Sequence, residues 1–84
     1  MMRENSKGNI LLVEDEENLH ETLKLNLQME GYEITSAFTG TAALKAVANE
    51  YFDLIILDIM LPEIDGIAVA ETIRVSNNDV PILM

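Results

Sequence analysis

The sequence predicts an α/β fold in which short parallel strands alternate with crossover helices. Two features support this. The uninterrupted apolar runs Ile10-Leu11-Leu12-Val13 and Leu54-Ile55-Ile56-Leu57 have the length of strands buried on both faces. Around them lie stretches of about ten residues whose apolar positions recur as on one face of a helix. A chain of 84 residues makes one domain at most.

The elements follow in order. The first strand is expected over Ile10 to Val13, followed by an acidic loop and a helix whose Leu19, Leu23 and Leu27 recur every four residues. Gly31 is placed to close that helix in a left-handed conformation, and Tyr32 to Ala37 then reads as the second strand. Thr39 can cap the next helix, with Ala43, Leu44, Val47 and Ala48 as its apolar stripe. Leu54 to Leu57 forms the third strand. Asp58 to Gly66, with Pro62 and the Asp65-Gly66 step, is a loop before a third helix over about Ile67 to Arg74. Val80 to Met84 begins the fourth strand, and the chain stops inside that apolar run.

Several function classes are disfavoured. No apolar run approaches the roughly 20 residues of a membrane span. Met1 to Asn9 is polar and of mixed charge, unlike a secretory signal, so a cytoplasmic location is expected. Cysteine is absent, which removes disulfides and thiolate metal sites. Fifteen acidic against five basic residues give a net charge of −10, which repels phosphate backbones and anionic membranes. Neither direct nucleic-acid binding nor membrane association is expected of this segment.

Chemistry is expected just beyond the carboxyl ends of the strands, where open parallel sheets bind ligands. Both relevant positions are acidic. Glu14 and Asp15 follow the first strand, Asp58 follows the third, and adjacent strands would bring the three carboxylates together. Such a cluster repels itself unless a cation neutralises it, and an all-oxygen donor set suits a hard ion such as Mg²⁺. Magnesium beside carboxylates is the usual arrangement for handling phosphoryl groups. A neighbouring carboxylate can then act as nucleophile and form an acyl phosphate, and Asp58 is the best candidate.

The runs from Ile10 to Glu16, Asp53 to Gly66 and Val80 to Met84 together resemble the receiver domain of two-component response regulators. The likeness extends from about Asn9 to Met84, with the elements in the family's order and spacing. It implies a flavodoxin-like, doubly wound parallel sheet of order 2-1-3-4-5. This chain would lack the fourth helix, fifth strand and fifth helix, as one receiver truncated after its fourth strand and without an output domain. The resemblance further implies that Asp58 accepts a phosphoryl group from a sensor histidine kinase or phosphotransfer protein. Asp15 and Asp58 would ligate Mg²⁺, Met60 would contribute its backbone carbonyl, and Glu14 would hold the ion through water. Pro62, Asp65 and Gly66 match the family's shaping of the loop and third helix. The Asp58-to-Gly66 wording is especially similar to regulators with a winged-helix DNA-binding output, which implies a switch for transcription regulation and not an enzyme acting on other substrates. The Leu19 and Thr22 end of the first helix resembles the kinase-docking surface.

The family's Ser or Thr after strand four and Lys after strand five have no counterpart here, so phosphorylation is expected to be slow. Losing one preorganised donor costs roughly 10²–10³ in rate. An unpaired apolar edge at strand four invites pairing with a second copy, so homo-oligomer formation through that edge is a further expectation.

Competing readings exist. A dehalogenase-like phosphatase needs a second acid two residues beyond the nucleophile, where this chain has Met60, and no P-loop sequence is present. A pseudo-receiver working through contacts alone is opposed by three intact acids. Glu16 and Glu17 suit the positive end of a helix dipole, while Asp53 and Asp65 suit turns and helix starts. His20, among Glu17, Glu21 and Lys24, reads as a solvated surface residue without a role.

Overall fold

A computed structural model describes residues 6–76 and 79–84. Its elements are β1 (Asn9–Val13), α1 (Glu17–Met29), β2 (Glu33–Ala37), α2 (Gly40–Asn49), β3 (Leu54–Leu57), α3 (Gly66–Val75) and β4 (Ile82–Leu83). The strands form one sheet of order β2-β1-β3-β4, and every pairing is parallel. This is the α/β order expected for strands one to four.

Strand alternation divides the apolar runs between two layers. Leu11 and Val13 of β1, with Ile55 and Leu57 of β3, enter a core completed by Ala43 of α2, Val69 and Ile73 of α3, Ala37 and Val80. Ile10 and Leu12 alternate with these residues, point to the opposite face, and are equally buried. β1 is buried on both faces, and the second face of β3, Leu54 and Ile56, is half-buried, which is why these strands read as continuous apolar runs and not as alternating ones.

Local chemistry explains the element ends. Gly31 takes a φ of 101°, the left-handed conformation anticipated at the end of α1. Thr39 caps α2 by accepting a hydrogen bond from Ala42 N at 3.1 Å. Asp65 caps α3 by accepting from Ala68 N at 2.9 Å, so the helix starts at Gly66, one residue before the expected position. Asp53 is also structural, its carboxylate accepting from Asn9 N at 2.7 Å. β4 is shorter than Val80 to Met84. Proline has no N–H to give a ladder, and Pro81 contributes only its carbonyl, to Ile55 N at 2.9 Å.

The apolar face of α1 needs correction. Leu19 is 45% exposed, whereas His20 beside it is fully buried. The reason is helical phase. At about 100° per residue, positions 20, 23 and 27 span about 60° around the axis and positions 19, 23 and 27 about 80°, so a face centred on the tighter set takes in His20 and leaves Leu19 at its edge. Leu23 and Leu27 are half-buried, so the stripe runs through the histidine. No helix among the described residues is long and apolar enough to cross a membrane.

Candidate metal centre

The sheet register creates the site. Val13 lies opposite Leu57, so the residues leaving β1 and β3 emerge side by side. Pairing continues one step further on each side: Asp58 N donates to Val13 O at 3.0 Å, and Glu14 N donates to Ala37 O at 3.1 Å. Glu14, Asp15 and Asp58 each present a carboxylate oxygen, and these atoms lie within 4.8 Å of one another. Among the described residues, this is the group of three acids able to hold a metal ion.

The three acids differ in setting. Glu14 is buried, Asp58 half-buried and Asp15 exposed. Glu14 Oε2 accepts from Glu16 N at 2.9 Å, and the Glu16 carboxylate in turn caps α1 through Asn18 N at 3.0 Å and Leu19 N at 2.8 Å. Asp58 Oδ1 accepts from Met60 N at 3.1 Å. Backbone N–H groups thus orient two of the carboxylates while leaving oxygens of all three turned toward one another. An oxygen-only set of this kind fits Mg²⁺, which takes one or two carboxylates and keeps several waters. The sequence-derived residues Glu14, Asp15 and Asp58 are all brought together. Met60 stands beside them on the loop, its side chain 82% exposed.

The loop after Asp58 is held close by two features. A Cβ on Gly66 would collide with the Asp58 carbonyl oxygen and lie 2.7 Å from Ile59 Cα, so only glycine lets α3 start this near the end of β3. Gly66 N donates to Ile59 O at 2.8 Å, fastening the two segments. Glu63 has a φ of 64°, in a three-residue turn where Ile64 N donates to Pro62 O at 2.6 Å.

Sequence reasoning missed His20. Its Nδ1 lies 2.8 Å from Glu14 O, and its ring stacks on Phe38 with centroids 4.1 Å apart. The 20-23-27 spacing was the available signal, but a polar residue on an apolar stripe is easily assigned to the surface. A groove of about 340 Å³ between α2 and α3, lined by Leu44, Val47, Thr72 and Ile73 among others, contains no acid and is separate from this site.

Comparison with known proteins agrees with this arrangement. The response regulator receiver domain family matches residues 10–84. The alkaline phosphatase synthesis transcriptional regulatory protein PhoP of Bacillus subtilis is 45% identical over 75 residues, 89% of this chain and 31% of that protein. The response regulator TrrA of Thermotoga maritima, solved with Mg²⁺ and BeF, is 49% identical with a TM-score of 0.84, covering 88% of this chain and 64% of that one. TrrA solved in complex with the histidine kinase ThkA gives a TM-score of 0.83 at the same identity and coverage. The chain spans about a third of the curated relatives it matches. With the family match extending over nearly all its residues and the sheet order, acid cluster and solved relatives in accord, the chain belongs to the response regulator receiver domain family.

Proposed function

We propose that Asp58 accepts a phosphoryl group from a sensor histidine kinase or phosphotransfer protein, with Mg²⁺ held by Asp15, Asp58, the Met60 carbonyl and, through water, Glu14. The observation that carries this reading is the convergence of three carboxylate oxygens within 4.8 Å at the ends of β1 and β3. TrrA, solved with Mg²⁺ and BeF and also with a kinase, supports the same ion and class of partner.

Met60 N–H engages Oδ1 of Asp58, which leaves the other carboxylate oxygen as the attacking atom. That oxygen forms a bond to phosphorus as the bond from phosphorus to the donor's leaving atom breaks. The leaving group departs with the electron pair and takes up a proton from water. The product is an acyl phosphate on Asp58, and attack by water later returns the carboxylate and inorganic phosphate. A bound Mg²⁺ neutralises charge on the phosphoryl oxygens. The chain assists its own phosphorylation and dephosphorylation and turns over no separate substrate. Within a cytoplasmic regulator, the modified receiver acts as the switch for transcriptional output carried elsewhere in the protein.

Intact-protein mass after incubation with Mg²⁺ and acetyl phosphate tests the reading. One phosphoryl group is expected, lost in Asp58→Asn and on chelation of the metal. Its persistence in Asp58→Asn sinks the assignment. The placement of β4 at the sheet edge, with Leu83 58% and Met84 50% exposed, also favours pairing with a second copy. A concentration-independent monomer mass in light scattering removes that part of the proposal.

A further inference from the structure

His20 stands at the N-terminal end of the inward-facing stripe of α1 with no exposed surface, yet its Nε2 has no hydrogen-bond partner. Leucine at this position would bury without leaving a polar atom unsatisfied. Packing alone therefore does not account for an imidazole here, and its other nitrogen supplies a reason.

Glu14 sits where β1 stops pairing. Its N–H still enters the ladder through Ala37 O, but its carbonyl has passed beyond it. A buried carbonyl needs a donor, and the donor provided is His20 Nδ1 at 2.8 Å. A carbonyl oxygen only accepts, so the proton between them is on Nδ1. His20 is fixed in turn by its own N–H, which donates to Glu16 O at 2.9 Å, and by its stack on Phe38 of the strand-two end. Glu14 is thus gripped twice, by His20 at its carbonyl and by Glu16 N–H at its carboxylate. The peptide whose oxygen His20 holds is the one joining Glu14 to Asp15, so its orientation sets the direction in which both acids leave the strand.

We infer that His20 is a positioning residue for the acidic cluster, its Nδ1–H holding the Glu14–Asp15 peptide so that both carboxylates face Asp58. The inference rests on the Mg²⁺ site proposed above. It differs from a packing role in requiring a donor at the δ position and not merely a ring.

Two substitutions separate these roles. His20→Phe keeps a ring to stack on Phe38 and removes the donor, whereas His20→Asn keeps an N–H at the δ position and removes the ring. Mg²⁺ affinity measured by isothermal titration calorimetry is expected to fall roughly tenfold or more in His20→Phe, the range typical of groups that orient metal ligands. It is expected to stay near the unsubstituted value in His20→Asn. Circular dichroism confirms that each variant is folded. Unchanged affinity in His20→Phe, or equal loss in both variants, overturns the inference while leaving the metal site intact. Failure of the unsubstituted chain to bind Mg²⁺ removes the site and the inference together. Should either variant not fold, NMR of the unsubstituted chain decides. The His20 Nδ1 proton is expected to shift with the same Mg²⁺ midpoint as the Glu14 and Asp15 amides, and a resonance that does not move overturns the inference.

Discussion

Removing one carboxylate from the metal-free cluster should stabilise the fold, and magnesium should erase that advantage. Two unit charges 4.8 Å apart, the outer limit for these oxygens, repel by about 0.9 kcal/mol at the dielectric of water and about 3.5 kcal/mol at an effective value near 20. Asp58→Asn deletes two such pairs while retaining an oxygen to accept from Met60 N. Because Asp15 is exposed and Asp58 half-buried, solvent screening places the gain near the lower figure for each pair, about 1–2 kcal/mol in all. With a urea dependence of about 1 kcal/mol per molar, the unfolding midpoint of the metal-free variant should rise by about 1 M or more. Glu21→Gln, an exposed acid on α1, removes the same net charge and should change little. Mg²⁺ at about ten times its dissociation constant should stabilise the unsubstituted chain by about 1.4 kcal/mol and the variant much less. In about 1 M salt the screening length falls to about 3 Å, and the difference between variant and parent should shrink. A metal-free Asp58→Asn chain no more stable than Glu21→Gln would refute the electrostatic reasoning, as would equal stabilisation of both chains by Mg²⁺.

Other perturbations probe the loop that carries Asp58. Gly66→Ala forces a Cβ against the backbone of Asp58 and Ile59 and strains the Gly66 N–Ile59 O bond; after a helix-propensity gain of up to about 1 kcal/mol, a net loss of about 2 kcal/mol is expected in urea unfolding. A variant as stable as the parent would show that α3 can withdraw freely. Glu63→Gly relieves a non-glycine residue at φ 64° and should raise stability by about 0.5–1 kcal/mol, whereas a lower urea midpoint would mean that the hydrogen bond Thr41 Oγ1 donates to the Glu63 carboxylate at 3.5 Å outweighs the backbone. Asp65→Ala deletes the acceptor for Ala68 N and should cost about 1 kcal/mol, with Asp65→Asn recovering most of it. Recovery absent in Asn would point to charge at the helix end in place of the capping bond.

The strands and the acid triad were legible because their signals are contiguous. A run of four apolar residues identifies a strand buried on both faces, and an acid directly after it must emerge at the strand's end. The relation between β1 and β3 is one of register, and Val13 opposite Leu57 brings Glu14, Asp15 and Asp58 together without any contribution from distant loops. Thr39, Gly31 and Asp65 were equally readable, since capping and left-handed turns use nearest-neighbour chemistry. Helix phase was less secure. Leu19 and His20 are adjacent, and hydrophobicity favoured the leucine for the core while the geometry of the 20-23-27 stripe favoured the histidine.

The sequence by itself determined the α/β class, the order of the elements and the three carboxylates, because each follows from short-range periodicity or from position at a strand end. Tertiary structure decided that His20 is buried and bonded to Glu14, that Leu19 is exposed, and that Gly66 lies against the Asp58 backbone. Those facts depend on how closely a helix approaches a strand and which carbonyl is left without a ladder partner. Such distances arise only when all the elements pack at once.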